Sequence, residues 1–217
     1  MPNPAETFPK IEVLEDHEMT RVLSNNNLKI YNFRKTKMTN RNFTPFPILA
    51  TERLTLRQLS IDDQQNIFAL RSDKEINKYL DRQPSKTIED TINFINKVNE
   101  NIEKNNSIYW AITLTKTKTF VGTICLFSFS DEEDKCEIGY ELLAKFQGQG
   151  IMREAAKKVI DYAFNTIKVQ KIEAIFHRDN QRSINLLEKL LFSNSNEPDK
   201  TNPELICYHL RNPKIID

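Results

Sequence analysis

Apolar and polar positions fall into regular periods only from about Ile48 onward. In "ERLTLRQL", Leu54 and Leu56 alternate with Arg53, Thr55 and Arg57, a period of two that predicts a strand. Ser60 and Asp63 have the spacing of a capping box, with Ile61, Phe68 and Leu70 in the helical stretch behind it. Thr87 and Asp90 repeat that signal, and Ile88, Ile92, Ile95, Val98 and Ile102 follow at helical spacing. "YWAITL" and "FVGTICLFSF" are β-rich and flank "TKTKT", which predicts a hairpin. "DEED" makes the next turn, and "KCEIGYELL" is another strand. Past "AKFQGQG", one helical face carries Met152, Ala155, Ala156, Val159, Ile160, Ala163, Phe164 and Ile167. "KIEAIF" is a strand. "RSINLLEKLLF" is a helix with Ile184, Leu187, Leu190 and Leu191 inward, and "ELICYHL" is a last strand.

The order is β-α-α-β-β-β-α-β-α-β. An antiparallel run followed by a strand–helix–strand unit predicts an α+β protein. Its mixed α/β sheet should be mostly antiparallel, with helices on both faces. Residues 1–47 stand apart as an N-terminal extension, partly ordered or a linker, ahead of a domain over 48–217. Their first part is acidic, with Glu6, Glu12, Glu15, Asp16 and Glu18 against Lys10. A basic stretch then carries Lys29, Arg34, Lys35, Lys37 and Arg41. It reads either as a solvated extension or as an arm that touches RNA or an acidic partner.

Composition narrows the classes. A net charge of +1 over 217 residues gives no reason to expect a nucleic-acid partner. No apolar run approaches the ~20 residues of a membrane span. "MPNPAETFPKIEV" lacks the basic and apolar regions of a secretory signal, so the cytoplasm is the expected compartment. Cys125, Cys136 and Cys207 are odd in number, form no C-x-x-C pair and lie in strand-like surroundings. They read as buried thiols, not as metal ligands or nucleophiles.

The chain has only four glycines, where average usage of roughly 7% would give about fifteen. Two of them, Gly148 and Gly150, sit together ahead of the long helix. Three readings compete. One is a plain strand-to-helix connection. The second is a dinucleotide fingerprint, but Arg153 stands where a third glycine should be, Glu173 falls in mid-strand, and the preceding strands form a meander. The third is an anion cradle, in which helix N-terminal N–H groups meet a pyrophosphate and glycine lets it approach. No lysine follows as in a P-loop, so the third reading suits a carrier such as coenzyme A better than ATP.

"EIGYELLAKFQGQGIMREAAKKVIDYAF", "KIEAIFHRDNQRSINLLEKL" and, upstream, "ILATERLTLRQL" resemble the GNAT N-acetyltransferase superfamily over about residues 48–210. The branch most like it is that of the ribosomal-protein N-terminal acetyltransferases, which also contains enzymes acting on small amines. The resemblance implies a GNAT-like fold whose central twisted sheet splays at the acetyl-CoA site. It makes acetyl-CoA the cosubstrate and an amine-bearing acceptor, a ribosomal protein N-terminus or a small amine, the partner of a monomer or homodimer. The family's Q/R-x-x-G-x-G/A loop falls on Gln147, Gly150 and Met152, with Gly148, Gln149 and Ile151 between them. Met152 departs from the small residue usual there. Tyr140 and Leu142 would offer main-chain groups to the pantetheine arm. Asn180 matches a carrier contact, or caps a helix. Leu191 replaces the glycine of the usual "LEKLGF", and "SNSNEPDKTNPE" is short for two full strands.

The implied reaction is acetyl transfer from a thioester to a neutral amine. Glu137 is the preferred base and Glu141 the second, because both share a strand face with Gly139. A backbone N–H near Leu142 would meet the oxyanion. Ser183 occupies the place of a serine that assists the leaving thiolate. A catalytically silent domain of the same fold, binding CoA or a protein partner, is the rival from another class. Met38 followed by "TNRNFTPFPILATERL" looks like a translation start, so residues 1–37 should be dispensable. A chain beginning at Met38 is expected to fold and turn over. A folded 38–217 chain that releases no CoA thiol from acetyl-CoA would refute this.

Overall fold

The computed structural model describes residues 11–12, 20–24, 27–31, 41–80, 82–198 and 202–214. The chain divides into two compact units, Met1–Met38 and Thr39–Asp217. In the first, β1 (Ile11–Glu12), β2 (Thr20–Ser24) and β3 (Asn27–Tyr31) pair antiparallel in that order. The β3 sequence alternates Leu28 and Ile30 with Asn27, Lys29 and Tyr31, a period of two that the surrounding basic charge obscures.

The second unit is built on an eight-stranded sheet. Its strands are β4 (Leu49–Ala50), β5 (Leu54–Gln58), β6 (Ile108–Leu114), β7 (Phe120–Ser130), β8 (Lys135–Leu142), β9 (Lys171–His177), β10 (Ser193–Pro198) and β11 (Leu205–Arg211). Their spatial order is β10-β11-β9-β8-β7-β6-β5-β4, antiparallel throughout except for β8 and β9. The helices are α1 (Gln64–Ser72), α2 (Lys74–Asn77), α3 (Ile88–Glu103), α4 (Ile151–Tyr162), which runs on into a wider π-turn over Ala163–Ile167, and α5 (Gln181–Lys189). The expected α+β architecture is present.

Local chemistry accounts for the helix starts. Thr87 Oγ1 accepts from Asp90 N at 3.1 Å while Asp90 Oδ2 accepts from Thr87 N at 2.9 Å, so each satisfies an orphan donor of the α3 N-terminus. Ser60 N donates to Asp63 Oδ2 at 3.0 Å, and Asp63 also takes both Nη atoms of Arg57 at 2.7 Å.

Register assigns side chains to the two sheet faces. Trp110 pairs with Ile124, which pairs with Tyr140. Tyr109 pairs with Cys125, which pairs with Gly139. Paired residues share a face and neighbours along a strand oppose one another. Trp110 meets Tyr162 of α4 edge-on at 5.7 Å, and Phe94 of α3 meets Tyr109 at 5.6 Å. The first face therefore carries α4 and the second α3. Trp110 is fully buried and its Nε1 donates to Pro47 O at 2.8 Å. Phe43, which lies within the 1–47 segment set apart above, is 1% exposed and part of the same core.

One expectation is corrected. Leu191 does not face inward: α5 ends at Lys189, and Leu191 sits at φ +67 with 79% exposure. That left-handed turn is a glycine conformation, and leucine holds it at a cost of roughly 1–2 kcal/mol. The segment "SNSNEPDKTNPE", short for two full strands, holds one, β10, which lies along β11. As an edge strand of Ser and Asn it has no apolar alternation to read.

Parallel pairing of β8 with β9 is confined to Lys135, Cys136 and Glu137 against Lys171, Ile172 and Glu173. Beyond that point β8 stays paired with β7 to Leu142, and β9 stays paired with β11 to His177. The two strands part, and a gap opens between their C-terminal halves.

Candidate active site

The gap is lined by main chain. Leu143 N donates to Val121 O at 3.0 Å, which sets the alternation of the β7–β8 ladder. Glu137, Gly139 and Glu141 therefore turn their peptide groups to β7, while Tyr140 and Leu142 turn theirs toward the gap. Leu142 O is met there by Gln147 Nε2 at 3.1 Å.

The loop that follows contains a short 3₁₀ turn over Ala144–Phe146 and then both glycines. Gly148 has φ +77, and Gly150, at φ +74, caps α4. Turn geometry by itself requires glycine at both positions. Spacing had weighed ligand approach against turn geometry, and the backbone makes the two demands coincide. A Cβ at Gly148 would meet nothing within 4 Å, so the loop surface there is open. The first helical bond of α4 runs from Glu154 N to Gly150 O at 3.1 Å, leaving the N–H groups ahead of it aimed out of the helix end. Ile151 and Met152 are buried by their side chains, so only their N–H groups can serve a ligand. Met152 is therefore a core residue, and its size does not obstruct the cradle.

Side chains brace this loop from three directions. Gln147 Oε1 accepts from Arg182 Nη1 of α5 at 2.6 Å. Gln149 Nε2 donates to Lys145 O at 2.9 Å, and Gln149 O accepts from Arg53 Nη1 at 3.3 Å. Glu154, in the first turn of α4, is held by Thr51 Oγ1 and by Arg53 Nε at 2.6 Å. Thr51, Arg53 and Glu154 were not read from the sequence, since residues about a hundred positions apart share no local pattern.

On the face of Tyr140, the Ser183 hydroxyl lies close enough to the Tyr140 phenol to favour its ionised form. Burial pushes that phenol up to about 12. Ser183 is itself buried. Asn180 acts as the α5 cap: its Oδ1 accepts from Ser183 N at 3.2 Å. Cap and serine are thus one local unit facing Tyr140.

The opposite face separates the two carboxylates. Glu141 accepts from both Nη atoms of Arg82, at 2.6 and 2.7 Å. Arg82 Nε donates to Asn77 Oδ1 at 2.8 Å, and Asn77 is buried. Both oxygens of Glu141 are thus committed to a part-buried ion pair. Among the described residues Glu137 makes no ion pair, although the charge of Lys135 acts on it. Burial raises its pKa above the usual glutamate value, a neighbouring Ser128 hydroxyl opposes the shift, and Glu173 adds to it. Ser128 sits at φ +48 where the β7–β8 register shifts, so the hydroxyl reaches Glu137 from an irregular, strained turn of the strand. Cys125 and Cys136 are pushed up to about 12 by burial, which keeps both thiols protonated.

The family model described as "Acetyltransferase (GNAT) domain" matches residues 53–193. The chain belongs to the GNAT acetyltransferase family. It is 33% identical to the uncharacterized N-acetyltransferase YoaA of Bacillus subtilis, over 68% of this chain and 83% of that one. Among solved structures it shares its fold with the ribosomal L7/L12 alpha-N-protein acetyltransferase RimL in complex with coenzyme A. That match has a TM-score of 0.68 at 17% identity, over 76% of this chain and 98% of that one. The microcin C7 self-immunity acetyltransferase MccE, in complex with acetyl-CoA and AMP, matches with a TM-score of 0.66 at 21% identity, over 75% and 94%. The protein is thus an N-acetyltransferase, and acetyl-CoA is the cosubstrate of its family. Among the described residues, no helix is long and apolar enough to cross a membrane.

The Arg82–Glu141 pair gives a direct test of this geometry. Arg82→Met should destabilise the fold by about 3 kcal/mol, because Glu141 is left buried and uncompensated. Arg82→Met with Glu141→Leu should recover most of that loss. Urea denaturation of the three proteins measures both effects.

Proposed function

We propose that the protein moves an acetyl group from acetyl-CoA to a primary amine, the α-amine of a protein N-terminus or a small amine, by direct attack in a ternary complex. The observation that carries this is the gap between β8 and β9 beside the glycine loop. A substrate arm containing amides fits an unpaired strand edge, which offers it donors and acceptors in alternation. Tyr140 N–H and O and Leu142 N–H are the groups available, and Gln147 holds Leu142 O. The pyrophosphate falls at Gly148, Gln149 and Gly150 and on the N–H groups of Ile151 and Met152, at the positive end of the α4 dipole. Asn180 serves this site through Ser183, as its cap.

The attacking amine must first be neutral. An α-amine, with a pKa near ~8, needs far less help than a lysine near ~10.4. Glu137 is the base, because among the described residues it is the partly buried carboxylate on this face that makes no ion pair. Five residues at ~3.3 Å each separate it from Leu142 along the strand, about 16 Å, so the proton reaches it through water. Amine attack on the thioester carbonyl forms a tetrahedral oxyanion, and a single backbone N–H near Leu142 is its donor, which leaves the Tyr140 N–H and O to the amide arm. Collapse expels the CoA thiolate toward Ser183 and Tyr140. The pool of acetyl-CoA and of nascent protein N-termini places this activity in the cytoplasm.

A panel of peptides and small amines incubated with acetyl-CoA, read by product mass, tests the reading. Absence of any acetylated product would leave a silent CoA-binding domain. Two variants assign the roles. Glu137→Gln should lower kcat by roughly 10²-fold or more. The wild-type kcat/KM should fall as pH drops through the Glu137 pKa, since only the ionised form accepts a proton, and that acid limb should vanish in the variant. Ser183→Ala should lower kcat with little change in acetyl-CoA affinity, and unchanged turnover would remove Ser183 from the mechanism.

A further inference from the structure

On the face of the sheet that carries Glu137 and Gly139, two arginines, Arg71 and Arg82, stand close to one carboxylate, Glu141. Arg71, near the end of α1, lies with its guanidinium 3.9 Å above the ring of Phe94. Phe94 packs on Tyr109, which pairs through Cys125 with Gly139. Tyr109 lies within the field of both Glu141 and Arg82, and so does Arg71. Glu141 has both of its oxygens committed to Arg82. Arg71 makes no ion pair among the described residues, and its Nε is buried without a hydrogen-bond partner. A buried donor on a charged group is expensive to leave unmatched, and an aromatic face compensates only part of that cost.

This charge does not serve the phosphates of acetyl-CoA. Those belong at the N-terminus of α4, and α4 packs on the opposite face, against Trp110. Arg71 lies on the face of the sheet that carries Gly139 and Glu137, where Cys125 and Phe127 pack against Gly139. Its position is fixed from two directions, since Arg71 O accepts from Ser85 N at 3.0 Å and Phe94 holds the guanidinium.

We infer that Arg71, backed by the Arg82–Glu141 pair, selects acceptors that carry a carboxylate close to the attacking amine. A free amino acid and the N-terminus of an acidic peptide share that chemistry. Polyamines and aminoglycosides, which bring further positive charge, are disfavoured by the same guanidinium. The inference rests on the acetyl-transfer reading above and names the acceptor class for that site.

Matched acceptors test it on the wild-type enzyme with no variant needed. Peptides beginning Ser-Glu and Ser-Gln form one pair, and free amino acids with their carboxamides form another. Spermidine is the cationic comparator, and CoA thiol release is the signal. The anionic member of at least one pair should show a kcat/KM at least 10-fold above its neutral partner and above spermidine, and the pair that responds identifies the source. Arg71→Gln should erase that preference mainly through KM for the anionic acceptor, and Arg71→Lys should restore part of it. Thermal melting and acetyl-CoA binding of each variant show that the fold and donor site survive. Equal rates within both pairs, a preference for spermidine, or a preference that persists in Arg71→Gln would overturn the inference while leaving acetyl transfer intact. Failure to acetylate any amine would remove the acetyl-transfer reading and this inference with it.

Discussion

Parallel pairing between β8 and β9 lasts three residues and then stops. Everything at the site depends on that stop. A strand edge inside a protein is costly, because its peptide groups have lost water without gaining partners. Here the cost is limited by Gln147, which turns back onto Leu142 O, and by a ligand shaped like a strand. Both strands are held rigid on their far sides, β8 by β7 and β9 by β11, so the gap is preformed and needs no unfolding to open. The glycine loop then follows from chain direction. The backbone must turn out of β8 and into α4 within a few residues, and two left-handed positions make that turn.

Strand parity divides the labour. Even positions of β8 face α4 and Ser183, and odd positions face α3, Arg71 and Arg82. In the proposed reaction, donor binding and departure of the thiolate thus fall on one side of a single strand, and the base and acceptor charge on the other. A slip of one residue would exchange the two sets. Gly122 helps pin the register: a Cβ there would stand 2.3 Å from Glu141 O, so no other residue lets β7 and β8 approach as they do. The Arg82–Glu141 pair ties the segment after α2 to the same strand, and Asn77 fixes the arginine from behind.

Much of this was legible in the chain because it is local. Alternation located the main sheet strands from β5 to β9 and β11, and Thr87 with Asp90 located the start of α3 to the residue. The glycine pair marked the loop, although its spacing pointed to the ligand alone when the turn requires it too. What escaped was non-local or polar. Arg82 and Glu141 stand 59 positions apart and carry ordinary charges until folding brings them together. With that pairing unseen, Glu141 stood beside Glu137 as a rival base. The β10 edge, all Ser and Asn with a Glu and a Pro, has no apolar face to signal a strand. Leu191 filled out a helical face by sequence, yet it lies two residues beyond the helix end, in a turn that leucine rarely occupies.

The protonation states on the Tyr140 face limit what the leaving-group side can do. A thiol ordinarily titrates near ~8.5. The Tyr140 phenol is pushed up to about 12 by burial. Full proton transfer from the phenol to a thiolate would therefore be uphill by about 5 kcal/mol, at 1.36 kcal/mol per pKa unit. The Ser183 hydroxyl is a weaker acid still. Neither side chain is suited to act as a general acid in the strict sense. A hydrogen bond donated to the thiolate has no such penalty, and in a site closed to water it is worth more than in solution. In the proposed reaction the two neighbouring hydroxyls donate to the sulfur and stabilise the charge as it develops. The product thiol then takes its proton from solvent or from the amine that attacked. That division lets Glu137 work as a base on one face without a matching acid on the other.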